Sequence, residues 1–342
     1  MLTRISLVLP VYNEQAVLPL VLPRLAELVD QLPAPTEVIF VNDGSRDATR
    51  AILAEAARQY SWLRVVDFSR NFGQQLAITA GLDLAQGDAV VVMDADLQDP
   101  PEVVLQMVEQ YQAGYDVVYA QRLERHGETW LKKLTATAFY RLMTTFVNRD
   151  LPENVSDFRL MSRPVIDALR HLREQHRFMR GLVTWLGFRQ TAVQFVRPAR
   201  AAGETKYSFI KLTALAWQAV VSFSNWPLRA ALPVGGGLAA LGVLTTMVAG
   251  VMWLNGAGSG LAIIAGLQLL LSGATLTAIG VLGDYLGRMY DEVRGRPLYV
   301  VRELINFRPE DVKSAERAVL PANSAAPATL RAVPRDEWRQ AS

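Results

Sequence analysis

Two aspartates separated by one residue follow a short apolar segment, and such carboxylates can hold a metal ion on a phosphate group. Asp94 and Asp96 come after Ala89–Met93, a Val-rich run that predicts a buried strand. Open α/β sheets bind their ligands beyond the carboxyl ends of strands. Two neighbouring carboxylates at such an edge repel each other when both are ionised, unless a cation or a hydrogen-bond donor lies beside them. We therefore expect Mg²⁺ or Mn²⁺ to bind there and to bridge to a nucleotide diphosphate. The ligand favoured is a nucleotide-sugar. For this pair alone, a helix cap or a solvated turn is the alternative.

The first predicted strand, Arg4–Leu9, also ends in residues that can bind a nucleotide. Pro10 ends the apolar run, and Tyr12 and Glu14 follow it. Tyr12 can stack on a base, and Glu14 can accept a hydrogen bond from a base or a ribose. A turn that caps the next helix is the alternative for these residues.

Two further strands, Val38–Val41 and Leu63–Phe68, end in the same way. After the second strand Asp43 is the functional candidate, because Gly44 permits close backbone approach and Ser45 and Asp47 are typical helix caps. In the third, Asp67 can contact the nucleotide. Arg70, which follows, can bind a phosphate with two parallel hydrogen bonds or form a surface ion pair.

The predicted elements alternate between strand and helix along the first 120 residues. Apolar spacing predicts helices over Asn13–Asp30, Asp47–Tyr60, Gln74–Leu84 and Pro101–Ala113, and another strand over Asp116–Ala120. This alternation predicts an α/β fold, a mostly parallel Rossmann-like sheet with helices on both faces. The carboxyl ends of four strands then meet at one crevice, which is stronger evidence for a site than any single motif.

Composition excludes several classes of protein. The chain has 342 residues and a net charge of +2, which does not favour nucleic acid as a partner. It has no cysteine, which excludes disulfides and thiolate metal sites. We identify no signal peptide, because the apolar run Ile5–Leu9 is too short and Pro10 follows it.

The stretch from Ala230 to Gly283 contains no Lys, Arg, Asp or Glu. A membrane helix needs roughly 20 apolar residues. This charge-free stretch therefore predicts two membrane helices, about Leu232–Leu254 and Leu261–Leu282, joined by a Gly-rich turn. A buried hairpin of a soluble core is the alternative. Cations flank only the outer ends (Arg229, Arg288, Arg294, Arg296), so both termini are expected in the cytoplasm. Nine glycines permit close helix packing and make a homo-oligomer plausible: Gly235, Gly236, Gly237, Gly242, Gly250, Gly266, Gly273, Gly280 and Gly283.

Two segments combine aromatic residues with cations at helical spacing, as helices at a membrane interface do. They are Trp130–Val147, for which a core-facing helix is equally consistent, and Tyr207–Leu228, for which the interface is favoured. We therefore divide the chain into a cytoplasmic catalytic domain (1–206), an amphipathic region (207–229), a membrane hairpin (230–288), a cytoplasmic segment (289–317) and a disordered Ala- and Pro-rich tail (318–342).

Seven motifs together resemble family 2 glycosyltransferases of the polyprenyl-phosphate type, such as bactoprenol glucosyltransferases and dolichyl-phosphate mannose synthases. The resemblance spans residues 4 to about 302, and its matching segments are Pro10-Val11-Tyr12-Asn13-Glu14, Asn42-Asp43-Gly44-Ser45, Arg70-Asn71-Phe72-Gly73, Asp94-Ala95-Asp96-Leu97-Gln98-Asp99-Pro100-Pro101, Asp157-Phe158-Arg159-Leu160, Gly203-Glu204-Thr205-Lys206-Tyr207 and Tyr285-Leu286-Gly287-Arg288. The first few occur widely in family 2, whereas the full set with a two-helix hairpin is more specific.

The resemblance implies the GT-A glycosyltransferase fold, inverting chemistry and a polyprenyl phosphate acceptor at the bacterial cytoplasmic membrane. It implies a divalent metal on Asp94, Asp96 and Gln98, and a nucleotide pocket lined by Pro10, Tyr12, Glu14, Asp43, Asp67 and Asp94. By the same resemblance, Asp157 would lie near the sugar and the acceptor, as a base or a sugar-orienting group. Candidate phosphate-binding cations are Arg122, Lys133, Arg200 and Lys206, with Arg159 less certain. Ser156, Thr205 and Asp284 are mild departures from the family pattern and leave the sugar undefined.

Glucose from UDP-glucose is the expected donor, because segments 70–81 and 157–160 look most like the glucosyltransferase branch. Mannose, galactose, N-acetylhexosamine and aminoarabinose stay open, as do the oligomeric state, with a tetramer possible, and the choice of metal. A processive polysaccharide synthase is disfavoured because the chain lacks a Gln-X-X-Arg-Trp motif and has few membrane helices. A membrane-anchored nucleotide-sugar sensor is the alternative outside catalysis, and a transporter is less favoured still.

Overall fold

The computed structural model describes residues 2–123, 155–196, 226–256, 260–308 and 310–311. Its strands are β1 (Ile5–Val11), β2 (Thr36–Asn42), β3 (Leu63–Phe68), β4 (Ala89–Val92), β5 (Val117–Arg122), β6 (Val155–Ser162), β7 (Gln190–Phe195) and β8 (Val301–Ile305). Its helices are α1 (Leu18–Gln31), α2 (Thr49–Gln59), α3 (Gln74–Leu84), α4 (Val103–Gln112), α5 (Arg163–His171), α6 (Met179–Trp185), α7 (Trp226–Leu254) and α8 (Gly260–Val293).

The described strands form one sheet in the order β7-β5-β6-β4-β1-β2-β3-β8. Strands β1 to β4 are parallel to one another, and β5 is parallel to β7. Strands β6 and β8 run in the opposite direction. The predicted mostly parallel sheet is therefore confirmed, and the sequence had not indicated its two antiparallel strands.

Helices cover both faces of the sheet. Because alternate side chains of a strand point to opposite faces, each strand contributes apolar side chains to both of the packed layers. Leu7 and Phe40 belong to a core cluster with residues of α1, α2 and α4. Their neighbours Val8 and Val41 face α3, where a Cβ at Gly81 would lie 2.2 Å from a Val8 methyl group. Strands buried on both faces read as continuous apolar runs, which is why the sequence located β1 to β4.

Two predicted boundaries at the first strand differ from the structure. Strand β1 continues through Pro10 to Val11, so this proline does not end it. Helix α1 begins at Leu18 rather than Asn13. Asn13 has a φ of +56°, which lies outside the helical region, so residues 12–17 form a turn between strand and helix.

The chain divides into two compact units. Of the described residues, 2–123, 155–196 and those after 296 belong to the first unit, and 226–256 and 260–296 belong to the second. The segment that follows the apolar helices thus belongs with the sheet, where β8 pairs antiparallel with β3.

Within the second unit, α7 and α8 are long apolar helices, longer than the spans expected from the sequence. Pro233–Leu254 and Ile264–Val293 are long and apolar enough to cross a membrane by length and composition. A Cβ at Gly242 would lie 3.6 Å from Leu271 Cδ1, so the helices approach closely there. At the other eight glycines singled out in the sequence, none of the neighbouring atoms of the described residues lies within 4 Å of the Cβ position.

Candidate functional site

A cleft of about 330 Å³ opens at the carboxyl ends of β1, β2 and β4. The sheet register explains why these ends meet, since Val11 pairs with Asn42 and Asn42 with Asp67. The cleft is lined by Pro10, Val11, Tyr12, Glu14, Asp43, Asn71, Gly73, Gln74, Asp94, Ala95 and Asp96. Six predicted site residues, Pro10, Tyr12, Glu14, Asp43, Asp94 and Asp96, are thus brought together at one edge of the sheet. Tyr12 is 42% exposed, which leaves its ring accessible to a planar ligand.

The turns that follow β1 and β2 hold each other in place. Ser45 Oγ accepts the backbone N–H of Asn13 at 2.9 Å, and Thr49 Oγ1 accepts that of Glu14 at 2.8 Å. Asp47 Oδ1 accepts the N–H of Thr49 at 3.0 Å just before α2, but the residue at the N-cap position is Ala48, so Asp47 lies one residue before the cap position predicted for it. Ser45 therefore fixes the loop that carries Glu14 instead of capping α2.

Asp43 is buried and holds the loop 69–73 against the cleft. Its Oδ1 accepts the N–H of Phe72 at 2.6 Å, and its Oδ2 accepts the N–H of Gly73 and the Asn71 side chain, both at 2.9 Å. Burial raises the pKa of Asp43, although these hydrogen bonds and the charge of Arg70 oppose the rise. The residue predicted to bind the nucleotide therefore also shapes the pocket wall.

The loop after β4 concentrates negative charge. Asp94 Oδ1 accepts from Gln74 Nε2 at 2.8 Å, and Asp96 Oδ1 accepts the N–H of Gln98 at 3.0 Å. Burial raises the pKa of Asp94 to about 7, and the charges of Asp99, Asp157 and Asp96 add to the rise. An accumulation of carboxylates of this kind favours binding of a cation.

The antiparallel strand β6 brings Asp157 to the same place. Val92 of β4 pairs with Arg159 of β6. Because the two strands are antiparallel, Asp94, two residues after Val92, and Asp157, two residues before Arg159, lie at the same end of this strand pair. Asp157 Oδ1 accepts from Arg180 Nε at 3.0 Å, and Oδ2 accepts from Gln75 Nε2 at 3.0 Å. Burial alone would raise the pKa of Asp157, but the charges of Arg180 and Arg159 outweigh it and lower the pKa.

Three residues of this site were missed from the sequence. Gln74 and Gln75 begin α3 and donate to Asp94 and Asp157, respectively. Arg180 lies on the short helix α6. Glutamines at a helix start and an arginine 23 residues beyond Asp157 carry no local signal of function, because only the packing of α3 and α6 beside β6 brings them to these carboxylates.

Asp67 occupies a different place from the one predicted. It is fully buried, and it is not among the residues that line the cleft. Asn42 Nδ2 donates to it at 2.7 Å, and Arg50 Nε and Arg302 Nη1 lie 3.1 Å and 3.4 Å from its Oδ2. Burial raises its pKa against these contacts. Asp67 therefore joins β3 to α2 and β8.

The predicted cations are only partly described. Arg122 ends β5, and its charge opposes the rise in the pKa of Asp94; it is not among the described residues that line the cleft. Three predicted cations lie outside the described residues: Lys133, Arg200 and Lys206. So do the segment Trp130–Val147 and most of Tyr207–Leu228, of which only the residues from Trp226, where α7 begins, are described. Arg70 lies over the Phe72 ring at 4.2 Å, and no ion pair joins it to an acidic side chain in the described ranges. Arg159 is buried, and its Nη2 donates to the carbonyl of Ser156 at 2.9 Å.

Asp94, Asp96 and Gln98 are the residues available for a metal. Gln98 Oε1 is buried, and no residue in the part of the chain that the structure describes is its hydrogen-bond partner. No group of three or more His, Cys, Asp or Glu side chains in the described ranges has the arrangement of a metal site. Two carboxylates and an amide oxygen match the hard oxygen ligands of Mg²⁺, which commonly binds through one or two carboxylates with substrate phosphates and water. The donor set therefore fits a metal that is shared with a diphosphate.

Comparison with known sequences gives one consistent family. The model of glycosyl transferase family 2 matches residues 6–170. The glycosyltransferase YkcC of Bacillus subtilis is 47% identical over 87% of this chain and 93% of its own length. The bactoprenol glucosyl transferase of Shigella phage SfII is 39% identical over 88% of this chain and 98% of its own.

Two solved structures resemble part of the chain. Glucosyl-3-phosphoglycerate synthase from Mycobacterium tuberculosis, in complex with Mn²⁺, UDP-glucose and phosphoglyceric acid, is 21% identical with a TM-score of 0.43 and covers 64% of this chain and 78% of its own. Mannosyl-3-phosphoglycerate synthase from Rubrobacter xylanophilus is 17% identical with a TM-score of 0.46 and covers 64% and 72%, respectively.

Proposed function

The chain belongs to glycosyltransferase family 2, and we propose that it transfers glucose from UDP-glucose to a polyprenyl phosphate. The observation that carries this proposal is the cleft at the strand ends, where Tyr12 and Glu14 adjoin the carboxylates Asp94 and Asp96. Relatives named bactoprenol glucosyl transferases, 38% to 39% identical over nearly their whole length, support the sugar and the acceptor.

The cleft has separate regions suited to the parts of a nucleotide-sugar. Tyr12 offers an exposed ring for stacking on the base, and Glu14 an acceptor for the base or the ribose. Asp94, Asp96 and Gln98 would hold Mg²⁺ or Mn²⁺ on the diphosphate, and Gln98 Oε1 is a buried acceptor that such an ion would satisfy. A bound divalent ion stabilises the charge that develops on the leaving nucleoside diphosphate.

The acceptor needs little activation, because a phosphate monoester is already anionic at neutral pH. One of its oxygens attacks C1 of the glucose, and the bond from C1 to the diphosphate breaks with its electron pair leaving on UDP. In-line displacement inverts C1, so an α-linked donor gives a β-linked lipid-phosphate sugar. The acceptor phosphate and the donor diphosphate repel each other. We propose that four cations reduce this repulsion: Arg122, Lys133, Arg200 and Lys206.

The two apolar helices support a location in the bacterial cytoplasmic membrane, with the sheet and both termini on the cytoplasmic side. Arginines flank only the outer ends of the hairpin, which favours this orientation. Anchoring keeps the site near lipid phosphates and raises the encounter rate of the two substrates. The glycines of α7 and α8 that have open space at their Cβ positions are available for packing between copies of the chain, and we propose a homo-oligomer.

The test is transfer of radiolabelled glucose from UDP-glucose to undecaprenyl phosphate by the purified full-length protein in detergent with Mg²⁺ or Mn²⁺. We expect a labelled lipid with a β linkage by NMR, lost in Asp96→Ala and retained in Asp30→Ala, an aspartate on the exposed face of α1. UDP-galactose, UDP-N-acetylglucosamine, UDP-aminoarabinose and GDP-mannose are parallel donors.

Each other outcome identifies what is wrong. Labelled lipid from another donor alone would replace glucose by that sugar and keep the reaction. An α-linked product would overturn the single displacement. Nucleotide binding without transfer from any donor would favour a membrane-anchored sensor.

A further inference from the structure

Asp157 holds an arginine that the proposed mechanism does not use. Its carboxylate lies between Arg180, at 3.0 Å from Oδ1, and Arg159, at 3.7 Å from the same oxygen. Two guanidinium groups thus share one carboxylate, so this part of the site carries a net positive charge.

The two arginines differ in what they can reach. The Arg159 side chain is 5% exposed, and Ser156 accepts one of its terminal N–H groups. The Arg180 side chain is 39% exposed and contacts Asp157 through Nε, and no acceptor for its Nη1 or Nη2 is found among the described residues. The outward-facing positive charge at Asp157 therefore belongs to Arg180.

Arg180 lies beside the residues that line the cleft. Val92 of β4 pairs with Arg159 of the antiparallel strand β6, so Asp94 and Asp157, each two residues from that pair, lie at the same edge of the sheet. Gln75, which also donates to Asp157, is preceded by Gln74, a cleft residue bonded to Asp94. One carboxylate therefore separates Arg180 from the metal-binding loop proposed above.

We propose that Arg180 binds a phosphate oxygen of a substrate and that Asp157 positions it for this role. A guanidinium has five N–H donors in a planar fork and pairs with phosphate through two parallel bonds. With Nε bound to Asp157, Nη1 and Nη2 are the donors of this partly exposed side chain that remain for a phosphate. The phosphate is that of the lipid acceptor or the diphosphate of the donor, and the inference rests on the proposed function in assuming these two substrates.

Two binding titrations on the full-length protein distinguish the two phosphates. UDP with Mg²⁺ is titrated by calorimetry, and citronellyl phosphate, a short polyprenyl phosphate, is titrated by quenching of tryptophan fluorescence. Arg180→Gln is expected to weaken one of the two ligands by about 10-fold or more, since it removes a charged hydrogen-bond partner. Arg180→Lys should recover part of the loss, because it keeps the charge and loses the fork.

Arg58→Gln is the matched control, because Arg58 is an exposed arginine on α2 that pairs with Glu55. Thermal unfolding of every variant separates loss of binding from loss of folding. Weaker UDP binding assigns Arg180 to the donor, and weaker citronellyl phosphate binding assigns it to the acceptor. If Arg180→Gln unfolds, Arg180→Lys serves as the test variant, with weakening of one ligand as the supporting result.

Binding of both ligands within 2-fold of wild type would overturn the inference and leave Arg180 as a purely structural partner of Asp157. Because both titrations measure binding, they assess Arg180 even if the wild-type protein transfers no glucose. Failure of the proposed function appears instead as absent transfer by the wild type.

Discussion

Gln75 and Asp157 are joined by a hydrogen bond of 3.0 Å from Nε2 to Oδ2, and the same glutamine accepts the backbone N–H of Met179 at 2.9 Å through Oε1. One side chain of α3 therefore connects β6, which carries Asp157, to the first residue of α6, which carries Arg180. Both polar atoms of the amide are used, so the carboxylate and the start of α6 are held relative to each other.

Asp157 is expected to remain ionised throughout the neutral range, because Arg180 and Arg159 hold its pKa below the ordinary value of 3.8. Between about pH 5 and 9 Asp157→Asn should at most move the ionisation of Asp94 to lower pH in the profile of kcat/KM, because the charge of Asp157 no longer raises the pKa of that carboxyl. Complete loss of an ionisation that the wild type shows in this range would instead identify Asp157 as a general base.

The same ion pairs make Asp157 stabilising, and the sign follows from its lowered pKa. The contribution is complete above the pKa of the unfolded chain, about 3.9, and is lost as pH falls through the lower folded value. Asp157→Asn should therefore cost about 3 kcal/mol at pH 7, because it leaves a buried arginine without its anion. The cost should shrink at strongly acidic pH. Chemical denaturation of both proteins at pH 7 and pH 3 measures it, and an equal cost at both would contradict the ion-pair account.

Removal of divalent ions should abolish transfer. Without a cation the carboxylates around Asp94 repel the donor diphosphate, so EDTA is expected to reduce the rate by about 100-fold or more, and Mg²⁺ or Mn²⁺ to restore it. Asp94→Asn should stay inactive when the metal is returned. Unchanged turnover in EDTA would exclude a metal role for Asp94, Asp96 and Gln98.

Gly44→Ala should destabilise the protein and weaken UDP binding. Gly44 has a φ of +65°, and a Cβ there would lie 2.4 Å from the backbone carbonyl carbon of Arg70, so the loop bound by Asp43 must move. Backbone strain alone costs about 1 kcal/mol, and the clash adds to it. Gly114→Ala is the control, since its φ is +95° and its nearest contact would be 3.9 Å away. Equal unfolding free energies and UDP affinities for the two variants would contradict a role for close packing at Gly44.

Tyr299→Phe should lower the free energy of unfolding by about 1 kcal/mol. The Tyr299 hydroxyl donates to Asp83 Oδ2 at 2.8 Å, while Arg173 Nη1 contacts both oxygens of that carboxylate. Phenylalanine loses this bond and keeps the stack on Phe68, whose ring centroid is 5.3 Å away. Tyr299→Ala should cost about 3 kcal/mol or more because the stack is lost as well. Urea unfolding measures both, and equal losses would contradict a separate role for the stacked ring.

Much of the parallel sheet could be predicted because its signals are local. Strands β1 to β4 are apolar runs buried on both faces, and Gln74–Leu84 was predicted with the bounds of α3. Tyr12, Glu14, Asp43, Asp94 and Asp96 could be assigned to one site without distances, since parallel strands end at the same edge.

The prediction for Asp67 shows where such reasoning fails. It ends a parallel strand as the other candidates do, yet Arg50 and Arg302 occupy its carboxylate. Arg302 reaches it through β8, which begins 234 residues beyond Asp67 in the chain. No local pattern predicts that pairing, because its partner strand is distant in sequence and only five residues long.

The sequence by itself determined the strand-helix alternation, the polar ends of the first strands and the apolar stretch between residues 230 and 283. Each of these features depends on the period and composition of side chains that are consecutive in the chain. Only the tertiary structure decided that β6 runs antiparallel and places Asp157 beside Asp94, that Gln75 and Arg180 hold its carboxylate, and that β8 removes Asp67 from the cleft. These relationships join residues separated by 23 to 236 positions, and packing of the whole sheet and its helices selects them.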